Sequence, residues 1–183
     1  FLLTEKHFHR TLKKASVLYG VPSEKTQINH YYDEESLSLN RRGITVRVRQ
    51  KDGMYRLQIK RHGGVRDGYA LSDETEMEMA DAPEEITLPE FGRLTRKGCL
   101  TTRRYSFSAC SCVSLDMDVN TYLSFTDYEA EIEFDAAARA QAKSVISALG
   151  LDSVNYANKS ARFFKRFSAR KTAALEGMEL HAI

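Results

Sequence analysis

The chain has 183 residues, 42% of them hydrophobic and 28% charged, the composition of an ordinary globular protein with enough length for a real core. Its 27 basic and 25 acidic residues leave a formal net charge of +2, so bulk charge argues for neither nucleic acid nor a membrane surface as a partner. No apolar run approaches the roughly 20 residues of a membrane span, and Phe1-Leu2-Leu3 is too short, and too soon followed by charge, for a secretory signal.

Thr4 to Tyr19 reads as a helix. Thr4 suits the N-cap, Phe8, Leu12, Ala15 and Tyr19 recur at helical spacing, and Gly20 with Pro22 ends the run. Short alternating runs follow at Thr26–Tyr32, Ile44–Gln50, Tyr55–Arg61, Glu74–Met79, Leu100–Phe107, Val113–Asp118 and Asp127–Phe134. Their length and spacing predict an antiparallel sheet or barrel. Lys51-Asp52-Gly53 supplies the turn between two of them. The polar, Pro-containing stretch Ala80–Leu94 interrupts the strands, with a short helix expected around Ala82–Arg93. After Phe134 the pattern turns helical: Ala136–Leu149 ending at Gly150, then a basic helix over Asn158–Leu175, with a loosely ordered tail from Glu176. The simplest organisation is one domain over residues 1–183.

The cysteines are Cys99, Cys110 and Cys112. Their number is odd, and Cys110-Ser111-Cys112 is too closely spaced for an easy bridge. They read as free thiols of a reducing compartment, hence the cytoplasm. A zinc site lacks a second Cys/His cluster at ligand spacing.

The strands sort their charges. Side chains alternate faces along a strand, so "VRVR" gathers Arg47 and Arg49, and "YRLQIK" gathers Arg56, Gln58 and Lys60. "ETEMEM" puts Glu74, Glu76 and Glu78 opposite Met77 and Met79. "LTTRRYSF" offers Arg104, or Arg103 if the register slips by one. "LDMD" carries Asp116 and Asp118, and "DYEAEIEF" carries Glu129, Glu131 and Glu133. A wet face of an antiparallel sheet explains such alternation by itself. It does not explain why each strand is nearly single-signed, since like charges across strands repel. Segregated Arg/Lys and carboxylates suit a polyphosphate with a divalent metal. Arg and Lys grip phosphate oxygens, and carboxylates hold Mg²⁺ or Mn²⁺, hard ions that prefer oxygen.

The remaining motifs have plainer readings. His7 and His9, at i and i+2 on a helix, face different sides. His30 reads as wall packing beside Tyr31. "KSARFFKRFSARK" reads as an amphipathic helix with Phe163, Phe164 and Phe167 partly packed, rather than a nucleic-acid patch. Gly63-Gly64 lacks the Lys-Ser/Thr ending of a P-loop.

Taken in order, these segments resemble the CYTH family, the triphosphate tunnel metalloenzymes, over about Gln27 to Arg162. "QINHYYD" resembles the family's early strand ending in an aromatic and Asp. "ITVRVR" resembles its Arg-x-Arg strand, "YRLQIK" its strand ending in Lys, and "TEMEM" its acidic fourth strand. "LTTRRY" resembles its second basic strand, "LDMD" and "DYEAEIE" its late acidic strands, and "NKSARFF" its terminal Lys-Ser segment. The likeness is greatest to a bacterial cyclase-like or triphosphatase-like subgroup.

The resemblance implies an α+β fold: an eight-stranded antiparallel β-barrel, or tunnel, with its charged face inward and helices packed outside. It implies that Arg47, Arg49, Lys60, Arg104 and Arg56 bind a triphosphate, with Lys60 and Lys159 as candidate catalytic cations. It implies metal binding by Glu131, Glu133 and Glu129, with Asp116, Glu76 and Glu78 as second-metal or water-orienting groups, the ion being Mg²⁺ or Mn²⁺. The expected activity is metal-dependent hydrolysis of tripolyphosphate, ATP or thiamine triphosphate. The alternatives are an adenylate cyclase using the same tunnel and a non-catalytic polyphosphate or nucleotide binder. Two departures stand out. The family's E-x-E-x-K strand normally runs directly into a segment like "FLLT", and the sequence starts at Phe1; Glu5 and Lys6 fall on the predicted helix and do not replace it. Thr102 stands two residues before Arg104, where the family has a basic residue.

Overall fold

The structure, a computed structural model, describes residues 1–66, 69–151 and 158–179. Its strands are β1 (Leu2–Leu3), β2 (Ser23–Asp33), β3 (Ile44–Lys51), β4 (Met54–Arg66), β5 (Tyr69–Met79), β6 (Glu85–Leu88), β7 (Gly92–Cys110), β8 (Val113–Tyr122) and β9 (Phe125–Phe134). Its helices are α1 (Glu5–Tyr19), α2 (Ser38–Arg41), α3 (Arg139–Leu149) and α4 (Lys159–Glu179). Hydrogen bonding orders the strands β1-β9-β8-β7-β2-β3-β4-β5, with β6 on β7. The α+β class with an antiparallel sheet is the expected one. Among the described residues nine strands form, and their hydrogen-bonded path is not closed.

The chain divides into two compact units. One comprises residues 1–27 and 101–156, the other residues 28–100 and 157–183. In the first, α1 begins as its sequence requires, with the Thr4 hydroxyl accepting a hydrogen bond from the His7 N–H at 3.2 Å. Phe8 and Ala15 of α1 and Ala142, Val145 and Leu149 of α3 share a core with Phe107, Leu115, Met117 and Ala130. These are the apolar partners of the alternating strands, so helices do cover that face. Phe1 to Leu3 also belong here: Leu2 pairs with Glu129 and Leu3 with Tyr128 on β9, and the Phe1 amino group donates to the Ala130 carbonyl.

In the second unit Ile44, Val46, Val48 and Leu57 are buried with Tyr32, Leu39, Ile86, Phe91 and Leu94. Two features were not foreseen. The helix expected at Ala82–Arg93 is a hairpin instead, β6 pairing antiparallel with the start of β7. "EITL" alternates, burying Ile86, and Gly92 takes a left-handed φ of 71° at the turn. Helix α2 is a single turn organised by Asp33, whose buried carboxylate accepts from the N–H groups of Leu39 (3.1 Å) and Asn40 (3.0 Å). The Asp closing "QINHYYD" is thus a structural acceptor.

Candidate functional site

The second unit carries the cations. On β3, Val46 and Val48 enter the core while Arg47 and Arg49 lie on the other face, partly accessible. Pairing with β4 sets Arg47 opposite Gln58 and Arg49 opposite Arg56. Pairing with β5 sets Arg56, Gln58 and Lys60 opposite Glu78, Glu76 and Glu74. Contacts follow the register. Arg47 Nε donates to Gln58 Oε1 at 2.7 Å, and its Nη2 lies 3.5 Å from Glu74. Lys60 lies 3.6 Å from Glu74. Gln58, only 2% exposed, donates in turn to Glu76. Arg56 is 3.5 Å from Glu76 and 4.0 Å from Glu78, both pairs in solvent. Glu76 and Glu78, expected near a metal, therefore stand beside Arg56. Arg49, Arg56, Gln58 and Glu76 also line a pocket of about 230 Å³.

Arg49 Nε donates to Asn29 Oδ1 at 3.1 Å. Asn29 and Tyr31 are both fully buried on β2. Burial raises the pKa of the Tyr31 phenol, opposed by the positive charges of Arg47, Lys159 and Arg49. Three of the expected cations thus act on one buried phenol. Lys159 opens α4, whose first turn is fixed by Asn158: its Oδ1 accepts from the Ala161 N–H at 2.7 Å and from Ser160 Oγ at 2.8 Å. Ser160 also bonds Thr45 Oγ1 at 2.8 Å, and Thr45 bonds His62 Nε2 at 3.1 Å. Burial, then the charges of Lys60 and Arg47, hold the His62 pKa below its ordinary value.

The first unit carries the carboxylates. Arg103 is exposed, pairing with Glu24 at 2.6 Å and lying 5.3 Å from the Tyr105 ring centroid. Arg104 is the less exposed of the two and pairs with Asp118 across the strands, on the carboxylate-bearing face. Its Nε and Nη2 grip Asp118 at 2.8 and 2.7 Å, its Nη2 reaches Glu131 at 2.7 Å, and its Nη1 bonds Asp116. Burial opposes this charge, but Asp118 above all, with Glu131 and Asp116, outweighs it and raises the Arg104 pKa. Ser106 donates to Asp116 at 2.6 Å.

Two carboxylate triads result, Asp116/Glu131/Glu133 and Asp118/Glu129/Glu131, the oxygens within each lying within 4.8 Å of one another. Register explains this: Asp116 pairs with Glu131 and Asp118 with Glu129 across β8 and β9. An all-oxygen donor set of this charge suits Mg²⁺ or Mn²⁺. Thr102 is fully buried and donates to Asn120 at 2.7 Å; Asn120 donates to Asp127 at 3.0 Å. At this position, where the resemblance led to the expectation of a basic residue, the chain buries a neutral hydrogen-bonded pair.

The period-2 pattern had placed Gln58 and Asp118 on the charged faces, yet their roles as bridge and triad member came from cross-strand pairing. Asn29 and Tyr31 were marked only as members of "QINHYYD", and Ser106 gave no sequence signal.

Sorted charges on this antiparallel scaffold define a class. The CYTH domain profile matches residues 1–161, and the chain belongs to the CYTH family. Among its relatives is "Putative triphosphatase YjbK" of Bacillus subtilis, 26% identical over a 179-position alignment that covers 90% of this chain and 91% of that protein. Two solved structures share the fold. A "putative adenylate cyclase" from Bacillus halodurans has a TM-score of 0.67 at 22% identity, covering 89% of this chain and 94% of the other. HpAC1 from Hippeastrum, called a "putative adenylyl cyclase" with a dominant triphosphatase activity, has a TM-score of 0.70 at 18% identity, covering 90% and 92%. Among the described residues, no helix is long and apolar enough to cross a membrane.

Proposed function

We propose that this CYTH protein is a metal-dependent triphosphatase, hydrolysing the terminal phosphoanhydride of tripolyphosphate or an organic triphosphate such as ATP or thiamine triphosphate. The observation that carries the reading is the pair of carboxylate triads sharing Glu131. Family membership and the triphosphatase names of YjbK and HpAC1 support it. Arg47, Arg49, Arg56, Lys60 and Arg104 bind phosphate oxygens, the arginines through their planar forks. Lys60 and Lys159 stabilise charge on the reacting phosphate. Asp116, Glu129, Glu131 and Glu133, joined by Asp118, hold Mg²⁺ or Mn²⁺; Glu76 and Glu78 orient water or keep Arg56 in place. A bound divalent ion supplies neutralisation of phosphate charge and a lowered pKa for coordinated water. In-line attack by water on the terminal phosphorus needs no covalent enzyme intermediate.

A second reading is favoured by the cyclase names among the structural relatives: attack by the ribose 3′-hydroxyl on the α-phosphate of ATP, releasing pyrophosphate.

The test is release of phosphate from tripolyphosphate, ATP and thiamine triphosphate with Mg²⁺ or Mn²⁺, using the full-length natural chain beside Arg47→Ala and Glu131→Ala. Metal-dependent release that falls about 100-fold or more in both variants is expected. Cyclic AMP with pyrophosphate would replace hydrolase by cyclase. Tight tripolyphosphate binding without turnover would make the protein a binder, and neither binding nor turnover would leave the sorted charges as a wet face.

A further inference from the structure

The hydrolase reading makes no use of Cys110 and Cys112. A Cys-x-Cys pair in a regular strand has its Cα atoms about 6.6 Å apart, at the outer limit for a disulfide. Here the strand is not regular. Ser108 pairs with Ser114 but Cys110 pairs with Val113, so the register shifts where β7 turns into β8. The shift brings the two sulfurs to 3.6 Å. Closing from there to the roughly 2.04 Å of an S–S bond needs only a small movement of side chains at a hairpin tip. Both cysteines are unbridged and half-buried, while Cys99 is exposed.

Their surroundings make them unequal. Hydrogen bonds from the backbone of Cys112 hold the Cys110 thiol below its ordinary pKa, whereas the hydrogen bond with Cys110 pushes Cys112 up. Cys110 is the better nucleophile and Cys112 the proton-bearing partner. They line an open pocket of about 600 Å³ with Ser106, Ser108, Ser114, Glu133 and Asp135. The carboxylates disfavour an anionic oxidant such as glutathione disulfide and admit a small neutral one.

We propose that Cys110 and Cys112 form an oxidisable dithiol that a small hydroperoxide closes into an intramolecular disulfide. The Cys110 thiolate attacks the peroxide, the O–O bond breaks, and the sulfur becomes a sulfenic acid as the alcohol or water leaves with a proton. The Cys112 sulfur then attacks Cys110, the S–O bond breaks, and water leaves with the Cys112 proton. In sum two thiols and one hydroperoxide give one disulfide, one alcohol or water, and one water. The proposal does not rest on the hydrolase reading, although Glu133 belongs to both sites.

The test is peptide mass mapping of the full chain after hydrogen peroxide, with acid quenching and alkylation. Loss of two hydrogens within the peptide carrying Cys110 and Cys112, reversed by a dithiol reductant, is expected. Cys112→Ser should stop at a dimedone-trappable sulfenic acid on Cys110, and Cys110→Ser should react at least 10-fold more slowly than wild type. Progress of wild-type Cys110 to sulfinic acid without a bridge would overturn the proposal. So would a bridge to Cys99, or oxidation at Cys99 ahead of the pair.

Discussion

The two charged ladders are built by the same alternation and balance their charge in opposite ways. On β3, β4 and β5 the answer lies across the strands: Lys60 meets Glu74 and Arg56 meets Glu76 and Glu78, mostly near solvent. On β7, β8 and β9 one guanidinium reaches three carboxylates, and Asp118 among them is fully buried. Pairs in solvent gain little and break cheaply. A buried carboxylate needs donors or a cation on it, and Asp118 has the Arg104 guanidinium. The difference teaches where charge is structural as well as functional: the cationic ladder can release its partners to a ligand, whereas the acidic ladder depends on positive charge to stay folded.

The sharpest way to break this contrast is Arg104→Met. It should lower folding stability by about 3–5 kcal/mol, the range for leaving a buried charge unpaired, read by urea unfolding. Added Mn²⁺ should raise the melting temperature of this variant more than that of wild type. No rise in either protein would mean that the triads do not bind the ion. Asn158→Ala should cost about 1 kcal/mol by removing the cap of α4, and should lower turnover at saturating triphosphate more than binding, since Lys159 is the next residue.

A smaller effect tests the cationic ladder through pH. The folded state holds His62 below its ordinary pKa of about 6.5, so the unfolded chain binds that proton more tightly. The contribution is complete above that value and is lost as pH falls through the folded pKa. His62→Gln should therefore lose less stability than wild type between neutral pH and mildly acidic pH, measured by urea unfolding at each pH. Smallest of all, Arg56→Ala should change stability by no more than about 0.5–1 kcal/mol. A loss as large as that of Arg104→Met would erase the distinction between the ladders.

The sequence by itself determined which residues alternate, hence which charges share a face, where α1 begins at Thr4 and that Gly150 ends α3, because these follow from local periodicity and capping. It did not determine the hairpin at β6, since "EITL" is too short to separate strand from helix without its partner strand. The choice of Arg104 over Arg103 needed the register of β7, and a one-residue slip reverses every side chain. Only tertiary structure placed Asp118 under Arg104, Gln58 between Arg47 and Glu76, and the Cys110 sulfur against Cys112. Such contacts depend on cross-strand pairing and on a register shift, distances that a linear order of residues does not contain.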